Sequence, residues 1–304
     1  MKTLYRYLLI ISYMLPLLLS AALPALALNG EPYFKTLQKR LIQDGFDKGR
    51  IKELYSRPQV YFETKGVSRF LVHREATLNY DQFSSPVSIR KARQYMQKHQ
   101  SILASTSKSY GVDKEIITAI ILVESRLGNF LGGPSTVNML STMASLYDSN
   151  VRDMFWHETL KSQKLSMKRY EKWARKKSNW AYTELKAFLK YTARENIDPV
   201  TVNGSYAGAL GIAQFMPSSI LAYAKDGNND GQIDLFNHAD AITSIASYLK
   251  HFGWHPGIDK KGAKKVIYRY NKSNYYVDAI LKISVLLKWL EQLSLNSVKI
   301  WIVL

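Results

Sequence analysis

Apolar residues recur at helical spacing along most of the chain. From Tyr33 to Gly45 the positions Phe34, Leu37, Leu41 and Ile42 form one stripe, and Gly45 stops it. Phe46 to Tyr55 predicts a second short helix before Pro58, and Val60 to Thr64 alternates as a short strand would. Ser88 to Tyr110 predicts one long charged helix. Ala239 to Phe252, ended by Gly253, and Val277 to Leu293 predict two more. Tyr147 to Asn196 is helix-rich and basic. Its run of Lys161, Lys164, Lys168, Arg169, Lys172, Arg175, Lys176 and Lys177 fits a solvated helix face better than a specific site. Asn203 to Gln214 is a glycine-rich loop. Strand signals are few, and there is no internal repeat and no Gly/Ser-rich linker. The pattern predicts one mainly α domain over residues 28–298, with the N-terminal third as a candidate helical lobe and residues 299–304 as an apolar tail.

The strongest helix runs from Asp113 to Leu127. Asp113 can cap its start and Gly128 can end it. Counting back from Glu124 by three, four and seven reaches Ile121, Ile120 and Ile117, so Glu124 shares the most apolar stripe of the helix. A carboxyl there is expected to be partly desolvated. Desolvation raises a carboxyl pKa, which a general acid needs near neutral pH. The alternative is a structural carboxylate paired with Arg126 or a hydroxyl.

The N-terminus bears on where this chemistry acts. Lys2 and Arg6 precede the apolar run Leu8 to Leu19, and Ala25-Leu26-Ala27 places small residues where a signal peptidase reads. Residues 1–27 therefore read as a signal peptide. An uncleaved anchor helix is the alternative, with Pro16 and Pro24 interrupting it. No later segment reads as a membrane span. Lys+Arg exceeds Asp+Glu by 42 to 24, a formal net charge of +18. Without Lys2 and Arg6 the rest carries 40 basic and 24 acidic residues, or +16. An exported chain of that charge favours an anionic envelope polymer over DNA or RNA. There is no cysteine, which excludes disulfides, thiolate zinc sites, thiol catalysis and lipid attachment through an N-terminal Cys.

Three further segments carry candidate chemistry. Ser205 to Ser219 packs small residues ahead of Gln214 and Phe215. Glycine and alanine let backbone approach a ligand closely, and a Gln amide both donates and accepts, as sugar hydroxyls require. Asp226-Gly227-Asn228-Asn229-Asp230-Gly231-Gln232-Ile233 has oxygen side chains at loop positions one, three and five, Gly at six and an apolar anchor at eight, the spacing of an EF-hand calcium loop. Asn237 stands where the closing Glu is usual, and Asp240 could close a longer loop. Finally, Arg269 to Tyr276 clusters tyrosines around Asn271, and tyrosine rings stack on sugar faces.

In this order, these segments resemble the membrane-bound lytic murein transglycosylase B family, most specifically in Val123 to Gly128, Ser205 to Ser219, Asp226 to Asp240, Ser244 to Trp254 and Tyr270-Asn271. The resemblance implies a lysozyme-like helical fold with an EF-hand-like calcium loop, acting on peptidoglycan glycan strands in the periplasm as a monomer. It implies Glu124 as sole catalytic acid and base, and Ser205, Gln214, Tyr248, Tyr270, Asn271 and Tyr276 around the sugar. Calcium would sit on Asp226, Asn228, Asp230, Gln232 and Asp240. Where the family carries an Arg-Arg pair, this chain has Val151-Arg152, so Arg152 alone is left for that contact. A hydrolytic muramidase and a non-catalytic calcium-dependent glycan-binding protein are the alternatives.

Overall fold

The helix bearing Glu124 reads Lys-Glu-Ile-Ile-Thr-Ala-Ile-Ile-Leu-Val-Glu-Ser, too apolar to keep one face in water, and the rest of the chain wraps it. A computed structural model describes residues 31–72, 79–160 and 165–303, the last of these with side chains as far as Trp289. The signal segment and the apolar side chains of the tail lie outside the described residues, as do Lys161 and Lys164 of the basic run.

Thirteen α-helices are present among the described residues. The helices α1 (Glu31–Gln43), α2 (Lys48–Ser56) and α3 (Thr64–Val72) lead to a 3₁₀ turn at Tyr80–Ser84. Then come α4 (Pro86–Lys98), α5 (Gln100–Tyr110), α6 (Lys114–Ser125), α7 (Thr136–Ser145), α8 (Ser149–Phe155) and α9 (Met167–Arg194). The chain ends with α10 (Pro217–Tyr223), α11 (His238–His251), α12 (Lys260–Tyr270) and α13 (Asn274–Val303). Two groups of helices share one continuous core. The first forms around α7, which packs on α1, α3 and α9. The second forms around α6, which packs on α4, α5, α11 and α13. The N-terminal third is divided between them: α1 to α3 join the first group, α4 and α5 the second. Among the described residues no helix is long and apolar enough to cross a membrane.

Several expectations change in detail. Val60 and Phe62 are buried, so the alternation is real, but the segment is no ladder strand. The amides of Tyr61 and Glu63 donate to Asn138 Oδ1 (3.2 Å) and Thr142 Oγ1 (2.8 Å) on α7, and Thr64 already begins α3. The long helix from Ser88 to Tyr110 is broken at His99 (φ −108°, ψ 25°) into α4 and α5. Asp113 stands at the N-cap of α6 without a side-chain cap; its carboxylate instead pairs with Lys288 of α13 at 2.8 Å. The final helix runs past Leu293 to Val303. Helices α3, α7, α10 and α12 were not expected. All ten residues of α7 are buried, which removes the apolar–polar period that would have marked it.

Buried Glu184 of α9 holds the segment that leads into α10. It accepts from the Ser218 backbone N–H (2.9 Å) and hydroxyl (2.8 Å), filling two needs at the start of a helix whose N-cap, Met216, has no side chain to offer. Glu184→Ala leaves both donors unpaired and is expected to lower stability by about 1–3 kcal/mol. Urea unfolding should show an earlier midpoint at unchanged slope.

Candidate active site

Glu124 lies half-buried in the last turn of α6, just before the helix is forced to end. Arg126 (φ 51°), Leu127 (φ 65°) and Gly128 (φ 85°) are all left-handed, costing about 1 kcal/mol or more at each non-glycine position. Ser125 secures the reversal: its hydroxyl donates to Ile121 O and accepts from Gly128 N–H at 3.0 Å. A Cβ on Gly128 would stand 2.9 Å from the His238 ring, so glycine is required by both conformation and space. The helix ends at Ser125, two residues before the expected Leu127.

The carboxylate faces tyrosines from two other elements. Tyr270, the last residue of α12, and Tyr276, in the first turn of α13, stack at 6.4 Å with planes 7° apart. Burial, then the charge of Glu124, raise both hydroxyls well above the ordinary tyrosine value. Tyr270 donates to Ala213 O at 2.5 Å, tying the Tyr-Asn segment to the glycine-rich one. Tyr276 Oη is buried without a hydrogen bond of regular geometry, and Glu124 is the acceptor that approaches it. Tyr80, from the 3₁₀ turn, packs edge-on to Tyr276 at 6.2 Å. Sequence reasoning missed Tyr80, whose only local mark is the Asn79 cap of a five-residue turn.

Of the other predicted residues, Gln214 is held in a left-handed conformation (φ 47°) beside Ala213. Its amide nitrogen donates to Gly211 O at 2.8 Å, a strained turn with Oε1 left for another donor. Asn271 follows Tyr270, and its side chain makes no hydrogen bond among the described residues. Ser205 is committed to its own loop: its hydroxyl oxygen accepts from Ala207 and Ala209 N–H. Tyr248 does not present a stacking face. It is buried between Phe215, Tyr223, Phe252 and Tyr270, and its hydroxyl donates to Arg269 O at 2.7 Å, so it backs Tyr270. Arg152 is not brought into this cluster. Buried in α8, it donates to Leu146 O and Tyr147 O at the end of α7 and pairs with Glu171 at 3.2 Å.

The predicted metal loop folds on its own amides. Asp226 accepts from the N–H groups of Asn229, Asp230 and Gly231, and Asp230 from that of Gln232. Asn228 Oδ1 accepts from Asp230 N–H. Asp240, 1 % exposed, accepts from Gly227 and Asp234 N–H across the loop. Burial, with the Asp226 carboxylate adding to it, raises the pKa of Asp240. The donor set is all oxygen and suits a hard cation such as calcium. Among the described residues, however, no three acidic or histidine side chains converge as a metal-holding group. The carboxylates are turned onto loop amides.

Residues 29–263 match the transglycosylase SLT domain family. The chain is 28% identical over 235 residues to membrane-bound lytic murein transglycosylase B of Escherichia coli (strain K12), covering 73% of this chain and 57% of that protein. It thus spans little more than half the length of that relative. The fold is similar to that of the Escherichia coli lytic transglycosylase Slt35 in complex with calcium: TM-score 0.66, 23% identity, 85% of this chain and 93% of that one. It is also similar to SltB3 from Pseudomonas aeruginosa in complex with NAG-anhNAM-pentapeptide: TM-score 0.66, 19% identity, 85% of this chain and 79% of that one.

The coupling between Glu124 and the two phenols is directly measurable. A negative neighbour disfavours tyrosinate, so Glu124→Gln should lower the ionisation pH of Tyr270 and Tyr276. Following tyrosine Cζ shifts by NMR against pH checks this; identical titrations in both proteins would refute the coupling.

Proposed function

Since the chain belongs to the transglycosylase SLT domain family, we propose that it is a peptidoglycan lytic transglycosylase in which Glu124 is the sole acid and base. The bond cut is the β-1,4 link between N-acetylmuramic acid and N-acetylglucosamine, and the product carries a 1,6-anhydro ring. The reading rests above all on the placement of Glu124, a half-buried carboxyl whose charge acts on two buried phenols. In such surroundings a carboxyl can hold a proton for the glycosidic oxygen.

Protonated Glu124 donates to the leaving oxygen as the glycosidic bond breaks. A glycosidase of the usual type needs a second carboxylate for the positive charge that develops at the anomeric carbon. No other Asp or Glu lies between Ile116 and Tyr147, and the substrate's own N-acetyl oxygen serves that role here. Glu124, now ionised, takes the proton from the muramyl C6 hydroxyl. That oxygen closes the ring on the anomeric carbon, and no water is consumed. Tyr276, whose buried hydroxyl approaches Glu124, holds the carboxyl in place, and Tyr270 fixes the glycine-rich wall. Gln214 Oε1 and the Asn271 amide receive sugar hydroxyls and N-acetyl groups.

Residues 1–27 direct export, and residues 28–298 work as a monomer on glycan strands in the periplasm. Calcium belongs to the loop Asp226 to Asp240 as a structural ion, remote from the proton transfers. Asp226, Asn228, Asp230, Gln232 and Asp240 would hold it, and its charge would offset the buried Asp240 carboxylate.

Glu124→Gln keeps the shape and removes the proton. It should lower release of anhydromuropeptides from purified sacculi by about 10²–10⁴-fold with the melting curve intact. Mass spectrometry of the products also separates this reading from a hydrolytic muramidase, whose products are heavier by one water. Calcium should raise the melting temperature by binding the folded state, by an amount equivalent to about 2.7 kcal/mol at a hundredfold excess over Kd. Asp226→Ala should erase that increment. A wild-type melting curve unmoved by calcium would remove the ion from the account.

A further inference from the structure

One exposed face of α13 changes character along its length. Asp278, Lys282, Val285 and Trp289 succeed one another on it at helical spacing. Asp278 and Lys282 are each taken up in an ion pair, with Lys264 and Asp81. Beyond them the face turns apolar: Val285 is 63% exposed and Trp289 57%, while Leu287 is turned inward and buried. The helix continues to Val303, about 21 Å of further backbone. Its sequence places Leu293, Ile300 and Val303 in the same register, interrupted by Asn296.

Helix α4 runs alongside. A cavity of about 530 Å³ lies between the two, with Pro86, Ile89, Arg90, Arg93 and Leu286 in its wall and no Asp or Glu. Val87, next to Pro86, is 51% exposed. Arg90 and Arg93 enter no ion pair or hydrogen bond among the described residues. This face thus joins an apolar stripe, an exposed tryptophan and two uncommitted guanidinium groups, none of which has a part in the reaction at Glu124.

That composition suits a membrane surface, where an indole ring sits at headgroup level and cations meet lipid phosphates. Residues 285–303 hold Lys288, Glu291 and Lys299, so the segment suits lying along a bilayer better than crossing it. A second copy of the chain is a poorer occupant. Each copy presents Arg90 and Arg93 here on a chain with a formal net charge of +18, so pairing two such faces sets like charges together. We propose that Val87, Arg90 and Arg93 of α4, with Val285, Leu286 and Trp289 of α13, seat the protein on an anionic phospholipid surface, α13 lying in the headgroup layer. The attachment is non-covalent and needs no cysteine, of which the chain has none.

The test is co-sedimentation of the chain from Leu28, without the signal segment, with vesicles of equal parts phosphatidylcholine and phosphatidylglycerol. Binding should be strong there and weak on phosphatidylcholine alone. Arg90→Gln/Arg93→Gln should weaken it about thirtyfold, and Trp289→Ser about tenfold. Lys172→Gln/Lys176→Gln, on exposed positions of α9, removes the same charge elsewhere and should weaken it less than about threefold. An equal effect of the α9 pair, no effect of Trp289→Ser, or no binding by the wild type would overturn the proposal. Insertion is read on the wild type itself: phosphatidylglycerol brominated on its acyl chains should quench tryptophan fluorescence, and bound but unquenched protein overturns the seating. Ultracentrifugation without lipid should show a monomer; a dimer that Trp289→Ser dissolves would give the face to a second copy instead.

Discussion

A carboxylate enclosed with two buried phenols is the constraint on which the rest of the structure depends. Charge in an apolar interior is costly unless polar groups meet it, and the chain brings the Tyr276 hydroxyl to Glu124. Helix α6 supplies the apolar surroundings, since Ile116 to Leu122 are buried without interruption. The three left-handed residues after Ser125 stop the helix one step beyond the carboxyl. Glu124 therefore stands half-buried at an edge of the core.

The neighbouring segments are shaped by the same requirement. Glycine-rich backbone is weak on its own, and here it is fixed at several points. Tyr270 holds Ala213, Glu184 holds Ser218, and Ile212 N–H donates to Leu235 O at 2.8 Å within the acidic loop. Gly211 (φ 68°) has no room for a side chain, because a Cβ would meet Leu235 O at 2.3 Å. The acidic loop is thus part of the scaffold of the glycine-rich segment. Its own amides organise its carboxylates before any ion is considered. Strain at Gln214 and at the end of α6 is sustained because the surrounding packing over-determines both turns.

Charge is distributed on two scales. Most of the excess Lys and Arg is exposed, where salt screens it beyond about 8 Å at physiological ionic strength, and it can draw in an anionic polymer without choosing a bond. Lys91, Lys98 and Arg126 line one concavity at the end of α6.

Local pattern was enough for the mainly helical class, for α6 and its half-buried carboxyl, and for the oxygen spacing of the acidic loop, because each is a property of consecutive residues. The isoleucine stripe measures desolvation along one helix, and Glu124 inherits it. The tyrosines near Asn271 were legible as a cluster, but their separate duties were not. Tyr276 meets Glu124, Tyr270 bonds the glycine-rich loop and Tyr248 stands behind Tyr270, and nothing in their spacing distinguishes them. Arg152 looked available for a ligand because a charged residue in sequence carries no sign of the carbonyls that will claim it. Tyr80 and the pairing of α4 with the end of α6 were invisible for the same reason. Which hydroxyl reaches a carboxylate, and which cations share a cavity, depends on contacts between residues tens to hundreds of positions apart. Those contacts exist only once the core has closed around α6.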